Sequence, residues 1–484
     1  MPTPLVLAID LGTSSTRTAL FDIEARRQPN TTAQQSYPLV TSPDGMAELE
    51  PGALLGAVRT CLAETLTKKR MDSLLKGRPI AGIAVSCFWH SFLGINGKGE
   101  ALGRIFTWAD SRCKEDAARL RKERDEKEVH ARTGCMLRAS FWPAKMAWLW
   151  RTHERFFNQP KQWLSPAEWL QLQLAGDATC ALGMASGTGL FDQATLQWCP
   201  RMLKLARITP EKLRPLSDAP TPVRGQLAAQ YPELKDVPWF PGIGDGAASN
   251  LGSGAVHPGL AAINVGTSAA LRVMREGSEA RAPFGLFCYR VDAKRYLVGG
   301  AVSNAGNLRA WCLRELKLTD GPELEAALAA RTGPDHGLVV LPFWTAERAP
   351  TWNEDALGAI HGMRQSTTAL DMLQAITEAT YHRLARIHEL VVAEEKTSPK
   401  LIVSGGIQKS ASGLARLANV LGHNVYANDE AEASLRGAAV YALEKLGFPV
   451  PELRLSNPTK PQLKLQRQYK EEREKQRKLE ELLR

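Results

Sequence analysis

The sequence predicts an α/β protein made of two related domains with a cleft between them. Apolar, strand-like segments alternate with helix-like segments along all 484 residues, which is typical of sheets covered by helices. Residues 8–14 (Ala-Ile-Asp-Leu-Gly-Thr-Ser) recur as residues 262–268 (Ala-Ile-Asn-Val-Gly-Thr-Ser), with five of the seven positions identical. Between the two copies, residues 215–241 contain six prolines and no helical periodicity, which indicates a connecting segment.

Each copy of the repeat predicts a β-hairpin with small residues at its tip. A second pair of similar segments follows in the same order. Residues 83–86 and 401–404 are apolar runs that end in serine and enter a loop, bulky at residues 87–90 and glycine-rich at residues 405–407. Two repeated features in one order favour a duplicated architecture over a chance likeness of short apolar strings.

The proline-rich segment sets the predicted domain boundaries. We expect an N-terminal domain over residues 1–242, a C-terminal domain over 243–454, and a charged helical tail over 455–484. The clearest helix is predicted over 368–394, where Thr368 and Asp371 form a capping box before apolar residues at a 3.6-residue period. In the tail, nine Lys/Arg and five Glu follow one another from Lys460, which predicts a helix with a solvated face.

Composition excludes several classes of protein. Hydrophobic residues make up 44% and charged residues 23%, values typical of globular proteins rather than disordered or fibrous ones. No apolar run approaches the roughly 20 residues needed to cross a bilayer, and residues 1–9 favour a strand over a signal peptide. The eight cysteines form no C-x-x-C pair, so we expect reduced thiols and a cytoplasmic location.

The net charge of the chain indicates which kinds of binding partner to expect. The formal net charge of +10 favours small anionic ligands by electrostatic steering. The sequence contains no DNA- or RNA-binding motif, so we expect neither a nucleic-acid nor a membrane partner. Monomer and homodimer both stay open.

The two hairpin tips are candidates for binding phosphate. The sequence contains neither the G-x-x-x-x-G-K-[ST] loop nor a G-x-G-x-x-G loop after a strand. At the first tip, Gly12 allows the backbone to approach a ligand, and the hydroxyls of residues 13–16 can donate to phosphate oxygens. Asp10, just before the turn, suits a Mg²⁺ ion bound through water. Residues 266–268 could close on the same phosphates, so two facing tips predict a nucleotide cleft.

The chain resembles the FGGY carbohydrate kinases of the actin/hexokinase/Hsp70 superfamily. The resemblance extends to about residue 448 and implies two ribonuclease H-like domains with an interdomain cleft. The similar segments are residues 10–17 (first phosphate motif), 86–91 (sugar-site loop), 244–246 (catalytic motif), 266–268 (second phosphate motif) and 404–407 (adenosine motif).

Four further segments are most similar to gluconokinases within this family: residues 107–112, 185–192, 244–254 and 347–353. Departures from the family pattern also occur. Phe88 and Trp89 stand where a small residue and Met are usual, Ala346 replaces Gly, and Leu357 replaces a common Arg. These departures bear on the identity of the sugar rather than on phosphoryl transfer.

The resemblance implies that Asp245 is the catalytic base, because a sugar hydroxyl is a weak nucleophile whose proton must be accepted during phosphoryl transfer. It also implies substrate contacts from His90 and Asp110 to hydroxyls and from Trp89 to the carbon chain.

Gluconate is an open-chain acid, so a cation is expected near its carboxylate. Arg112 and Arg348 are both candidates, and the choice between them stays open.

The cofactors implied by the resemblance are ATP and Mg²⁺, with Asp10 in the shell of the metal. Gly405 and Gly406 would let adenine lie against the backbone, with Ile407 and Ser410 alongside. The other residues implied on the nucleotide side are Gly12, Thr13, Ser14, Ser15, Arg17, Gly266, Thr267, Ser268 and Asn304.

The function that these expectations favour is ATP-dependent phosphorylation of the terminal hydroxyl of D-gluconate, giving 6-phosphogluconate and ADP. One alternative is another FGGY kinase acting on xylulose, ribulose, glycerol or a similar polyol. A second is a non-catalytic ATPase module like the actin or Hsp70 members, with the tail as its partner-binding segment. The sugar-site loop at residues 86–91 argues against the second alternative.

Overall fold

The computed structural model describes residues 3–67, 78–393 and 398–483. Some residues named in the predictions lie outside these ranges. They are residues 1–2 of the N-terminal domain, residue 394 of the predicted 368–394 helix and residue 484 of the tail. Within them, 22 strands form five sheets.

The first large sheet has the strand order β12-β13-β6-β1-β2-β3, with β14 beside β6. The second has the order β17-β18-β16-β15-β21-β22, and a five-stranded sheet has the order β4-β5-β8-β7-β9. In chain order the strands are β1 Leu5–Leu11, β2 Ser15–Phe21, β3 Ala33–Ser36, β4 Val40–Thr41, β5 Ala47–Leu49, β6 Ile80–Cys87, β7 Phe92–Ile95, β8 Ala101–Phe106, β9 Gln162–Leu164, β10 Phe191–Asp192, β11 Gln197–Trp198, β12 Thr221–Pro222, β13 Pro238–Trp239, β14 Ile243–Gly244, β15 Leu260–Val265, β16 Ala269–Glu276, β17 Phe287–Arg290, β18 Arg295–Val302, β19 Val339–Leu341, β20 Ala359–His361, β21 Lys400–Ser404 and β22 Val425–Ala427.

Helices pack on the sheets. They are α1 Pro51–Thr65, α2 Lys114–Glu123, α3 Glu126–Thr133, α4 Trp142–Thr152, α5 Glu154–Asn158, α6 Pro166–Ala175, α7 Leu182–Ser186, α8 Pro200–Leu205, α9 Gln226–Gln230, α10 Asp245–Gly252, α11 Gly306–Glu315, α12 Pro322–Ala329, α13 Ala369–Val392, α14 Ala411–Leu421, α15 Ala433–Lys445 and α16 Leu463–Leu482. Short 3₁₀ turns occupy Pro210–Lys212, Pro232–Leu234 and Gly406–Lys409.

The two large sheets repeat one arrangement of strands. In the first, β1 runs antiparallel to β2 and parallel to β6. In the second, β15 runs antiparallel to β16 and parallel to β21. The predicted α/β class and both predicted hairpins are therefore confirmed. The predicted capping box of α13 is also present, because Thr368 and Asp371 bond each other's backbone N–H groups. The division after residue 242 stays a prediction.

Helices α10 and α15 join the two large sheets. Helix α15 lies late in the chain but packs on β1 and β6 of the first sheet, while α10 lies against α15 and also contacts β15 and β16. A Cβ atom on Gly252 would lie 1.7 Å from the Ala433 carbonyl oxygen, and one on Gly437 would lie 1.7 Å from that of Ala248. Glycine is required at both positions because the two helix backbones touch there.

The terminal helix α16 differs in part from the predicted tail. It is helical and strongly charged, as expected, but Leu465, Tyr469, Gln476 and Glu480 are buried against the second half. Gln476 donates from Nε2 to the carbonyl oxygen of Val340 over 2.8 Å. The predicted solvated face is present, and the opposite face, which no sequence pattern indicated, bonds with the body of the protein.

Two predictions from composition have structural counterparts. All eight cysteines are buried and unpaired. Across residues 3–67, 78–393 and 398–483, no helix combines the length and apolar character needed to span a bilayer.

We expect Gly437→Ala to destabilise the protein by about 3 kcal/mol, because the new methyl group would collide with the backbone of α10. Urea unfolding measures this change. The matched control is Gly56→Ala in α1, where a Cβ meets nothing within 4 Å and alanine favours the helix. Equal midpoints for the two variants would show that the helices do not touch as described.

Candidate active site

Asp245 is the first residue of α10 and directly follows β14. Since β14 and β1 both pair in parallel with β6, Asp245 and Asp10 emerge at the same edge of the first sheet. The Asp245 side chain is partly buried, and its Oδ1 accepts the N–H of Gly246 over 2.8 Å. This edge therefore carries two carboxylates at neighbouring strand ends.

The glycines on either side of Asp245 make room for Trp89. A Cβ atom on Gly244 would lie 1.8 Å from Cε2 of the Trp89 ring, and one on Gly246 would lie 2.7 Å from Cζ3. The indole is itself fixed, because its Nε1 donates to the carbonyl oxygen of Gly183 over 3.0 Å. The sugar-site loop thus forms a rigid wall beside Asp245.

A cavity of about 170 Å³ lies beside Asp245, between the two halves of the chain. It is much smaller than the roughly 300–1,000 Å³ typical of drug-sized ligands, so it suits a compact polar molecule. Aromatic side chains form much of its wall: Trp89, Trp108 and Phe141 from the first half, and Phe287, Tyr289 and Trp352 from the second.

Arg272 on β16 also lines this cavity, although it is not among the residues predicted from the sequence. Its Nε is buried and has no hydrogen-bond partner among the described residues. Burial lowers the pKa of its guanidinium, and the Asp245 carboxylate opposes that effect. A charged residue inside the apolar strand that follows Ser268 was the signal that could have identified it.

Arg348 was predicted on the substrate side, and it lines the same cavity. Its Nη2 donates to the Val302 carbonyl oxygen over 3.3 Å, and its guanidinium lies 5.2 Å from the centroid of the Trp108 ring. Within the part of the chain that the structure describes, its buried Nε has no partner. Burial lowers the pKa of Arg348 to about 10, so it stays charged at neutral pH. Two cations therefore face Asp245.

His90 also lines the cavity, as predicted, in a left-handed backbone conformation with φ of 64°. Its Nδ1 bonds with the carbonyl oxygen of Gly187. Because a carbonyl only accepts, Nδ1 carries the hydrogen. Burial lowers the pKa of His90 to about 3, so the ring is neutral at pH 7 and its Nε2 is an acceptor.

The first hairpin tip reaches the same cavity. Gly12 closes the turn by donating its N–H to the Ser15 carbonyl oxygen over 2.9 Å. Thr13 lines the cavity, and its Oγ1 accepts a hydrogen bond from Nε1 of Trp108 over 3.1 Å. Ser14 at the tip is exposed.

Comparison with known proteins identifies the family. The model of the N-terminal domain of the FGGY family of carbohydrate kinases matches residues 5–252, and the model of the C-terminal domain matches residues 261–444. The chain belongs to the FGGY family of carbohydrate kinases. The resemblance noted from the sequence is confirmed, and the protein is a phosphotransferase with an alcohol group as acceptor.

Individual relatives point to more than one sugar. The kinase is 27% identical to a gluconokinase of Bacillus subtilis (strain 168), over 92% of this chain and 88% of the relative. The solved gluconate kinase of Lactobacillus acidophilus has a TM-score of 0.88 at 24% identity, covering 99% of this chain and 98% of that one. A xylulose kinase from Lactobacillus acidophilus has the same TM-score, identity and coverage. The shared fold therefore does not distinguish between these acceptors.

Asp110 and Arg112 are not among the residues that line this cavity, so their substrate contacts stay a prediction. Arg112 donates from Nε to Oδ1 of Asp110 over 3.1 Å and also pairs with Glu48. Its guanidinium lies 4.5 Å from the centroid of the Trp148 ring. The charge of Arg112 is thus already balanced by two carboxylates, which leaves Arg348 as the predicted cation that reaches the cavity.

The second hairpin tip of the kinase is held by the first turn of α11. The N–H groups of Gly306 and Asn307 donate to the carbonyl oxygens of Gly266 and Thr267 over 2.9 and 3.1 Å. Asn304, predicted on the nucleotide side, is buried and donates from Nδ2 to the Ala346 carbonyl oxygen over 3.1 Å. Ser268 at this tip lines the cavity, so both hairpin tips meet there.

The predicted adenosine loop follows β21. Gly405 has a φ of +93°, and a Cβ atom there would lie 2.5 Å from the Val265 carbonyl oxygen, so glycine is required. Gly405 and Gly406 are exposed and Ile407 is buried. Ser410 caps α14 and donates from Oγ to Oε2 of Glu325 over 2.6 Å, so its hydroxyl already has a protein partner.

Asp10 fits a magnesium ion held through water. It is nearly buried, and burial raises its pKa to about 6, with the nearby Asp245 charge contributing. Nη1 of Arg17, a residue predicted at the phosphates, lies 3.6 Å from Oδ2 of Asp10, and its Nε lies 3.4 Å from Oε2 of Glu432. The described ranges contain no group of three or more His, Cys, Asp or Glu suited to a metal. Mg²⁺ usually takes only one or two carboxylates from a protein, so Asp10 is compatible with the predicted ion.

We expect the kcat of this kinase to fall at low pH, because Asp245, the predicted base, can accept a proton only when it is ionised. Burial raises the pKa of Asp245 above 3.8, and Arg272 opposes the rise. Arg272→Met removes a positive charge, so the pKa rises further and the acid limb of kcat moves to higher pH. The control is Arg275→Met on the same strand, and the readout is kcat at saturating acceptor across acidic and neutral pH. An unmoved limb, or one at lower pH, would contradict the assignment.

Proposed function

We propose that this kinase transfers the γ-phosphoryl group of ATP to the terminal hydroxyl of D-gluconate, giving 6-phosphogluconate and ADP. The observation that carries the proposal is the pair of arginines in the cavity. Arg272 and Arg348 both line it, and each has a buried Nε without a partner among the described residues.

A sugar acid satisfies these arginines better than a neutral sugar does. A guanidinium has several N–H donors in one plane, which match the two oxygens of a carboxylate. Burying a cation without a partner costs free energy, and a charge-assisted hydrogen bond recovers it. A neutral polyol offers only hydroxyl oxygens to the same donors, so we expect the sugar acid to bind more tightly than a neutral sugar.

In the proposed reaction, Asp245 accepts the proton of the terminal hydroxyl as its oxygen bonds to the γ-phosphorus. The bond between that phosphorus and the oxygen bridging to the β-phosphate breaks, and ADP leaves with the electron pair. The neutral His90 accepts a hydrogen bond from another hydroxyl of the acceptor through Nε2. Trp89 keeps Asp245 in place and excludes water on one side, which limits wasteful hydrolysis of ATP.

The nucleotide would lie across the two hairpin tips, with its phosphates against residues 12–15 and 266–268. Its adenosine would lie on the glycine turn at Gly405 and Gly406, beside Ile407. Asp10 would hold Mg²⁺ through water, and that ion would supply neutralisation of the phosphate charge. Domain closure around both ligands would bring the tips together.

We expect D-gluconate to be the preferred acceptor. Its kcat/KM should exceed those of xylulose, ribulose and glycerol by about a hundredfold, because two charge-assisted hydrogen bonds form only with the acid. An ATP-dependent ADP-release assay over this panel measures the ratio. A neutral sugar as the best acceptor would contradict the proposal and favour another FGGY kinase activity.

Arg272→Met sharpens this test, with Arg275→Met as its control. If Arg272 binds the carboxylate, the variant loses activity with gluconate far more than with glycerol. An equal loss on both acceptors would instead assign Arg272 to the transferred phosphoryl group and contradict its role in specificity.

We expect Asp245→Asn to lower kcat by roughly 10²–10⁴ with little change in KM, because the amide cannot accept the proton but has nearly the same shape. Asp236→Asn, which changes an exposed aspartate paired with Arg224, is the control. Turnover by Asp245→Asn close to that of the control would remove Asp245 from the role of base.

A further inference from the structure

The terminal helix α16 is fixed to the second half through polar side chains rather than apolar ones alone. Tyr469 donates from its hydroxyl to Oε1 of Glu378 on α13 over 2.8 Å. Two turns further on, Gln476 donates to the carbonyl oxygens of Val340 and Ala379. Glu480 completes the same face and is 5% exposed. The helix lies beyond residue 444, where the match to the family model ends.

Glu480 begins a buried chain of charges that leads away from the helix. Its Oε2 accepts a hydrogen bond from Nη1 of Arg383 over 2.6 Å and a longer one from Nη1 of the half-buried Arg386 over 3.2 Å. The other terminal nitrogen of Arg383 pairs with Oε1 of Glu347. Arg383 is 2% exposed and Glu347 is 5% exposed. A guanidinium held between two buried carboxylates has little freedom to move, since displacing it would leave charges unpaired.

Glu347 connects this chain to the loop that carries Arg348. Its N–H donates to the Asn353 carbonyl oxygen over 3.1 Å, and its Oε2 accepts from the Thr351 hydroxyl. Glu347, at the start of the 347–353 loop, is thereby bonded to Thr351 and to Asn353 at its end. Glu347 is also adjacent in sequence to Arg348, so the position of its backbone sets where the Arg348 side chain begins.

Arg348 itself has few contacts that could fix its position. Among the described residues, its side chain donates one hydrogen bond, from Nη2 to the Val302 carbonyl oxygen over 3.3 Å, while its backbone carbonyl oxygen accepts the N–H of Trp352 over 2.6 Å. Its other contact is the Trp108 ring at 5.2 Å. The guanidinium therefore depends on its loop for its place in the cavity.

We propose that Glu480 is a positioning residue for Arg348, acting through Arg383 and Glu347. This inference rests on the proposed function, in which Arg348 binds the carboxylate of the acceptor. The terminal helix thereby helps to fix the geometry of the acceptor site, although it contributes no side chain to the cavity. Removing the Glu480 charge leaves Arg383 with one carboxylate, which loosens Glu347 and displaces the loop.

Steady-state kinetics of Glu480→Gln in the full-length protein test the proposal. We expect the KM for gluconate to rise about tenfold, as for other residues that orient a ligand-binding group, while the KM for ATP changes less than about twofold. The matched control is Glu481→Gln, the next residue on the helix, which forms an exposed pair with Arg477. It should leave both constants unchanged.

A double-mutant cycle separates positioning from general stabilisation. If Glu480 acts through Arg348, then Glu480→Gln adds nothing to the gluconate KM of Arg348→Gln. Additive effects, an equal rise in KM for both substrates, or a lower melting temperature with unchanged KM would overturn the proposal. If Glu480→Gln does not fold, Glu480→Asp carries the test, because it keeps the charge but withdraws it from Arg383.

Failure of the proposed function is distinguishable from failure of this inference. The wild-type acceptor panel tests the function alone. If the wild type prefers a neutral acceptor, the same cycle is measured with that acceptor, because Arg348 lines the cavity for any molecule that enters it. An unchanged KM for that acceptor in Glu480→Gln would then overturn the positioning role.

Discussion

The backbone contact between α10 and α15 is the constraint on which the active site depends. Helix α15 packs on β1 and β6, and α10 packs between α15 and the strands β15 and β16. Gly252 and Gly437 allow the two helix backbones to touch, so both large sheets pack against one closely joined pair of helices. Asp245 opens α10 and Arg272 lies on β16, so the same packing that joins the halves also brings the carboxylate and the cation into one cavity.

Sequence patterns predicted the features of the fold that are local, and they missed those that depend on tertiary partners. Both hairpins and the capped helix follow from glycines, a capping box and apolar periods within short segments. Arg272 was missed because its place in the cavity depends on how β16 is oriented relative to the first half of the chain, and a sequence pattern does not show that orientation. The pairing of Asp110 with Arg112 withdraws both from the cavity, and sequence shows charges but not their partners. The buried face of α16 was missed because it is largely polar, and hydrophobic periodicity does not detect such a face.

Burial shifts the pKa values of both the acidic and the basic groups in the cavity. Burial raises the pKa of Asp245 and lowers those of Arg272 and Arg348, since a low dielectric disfavours every ionised group. A pKa of about 10 still leaves Arg348 protonated at neutral pH. One carboxylate therefore faces two guanidinium groups, and the cavity keeps an excess of one positive charge. A monoanionic acceptor cancels that excess, whereas a neutral one leaves it in place.

On the proposed function, the carboxylate of the acceptor also improves the base. Arg272 and then Arg348 are the neighbouring charges that lower the pKa of Asp245, against the larger effect of burial. A carboxylate bound to both arginines neutralises that influence, so the pKa of Asp245 rises and its affinity for the hydroxyl proton increases. A neutral polyol would leave the arginines unpaired and Asp245 a weaker base. Arg272 and Arg348 would then favour the sugar acid in two ways. They would bind its carboxylate in the ground state. They would also stabilise its transition state through the stronger base, which raises kcat as well.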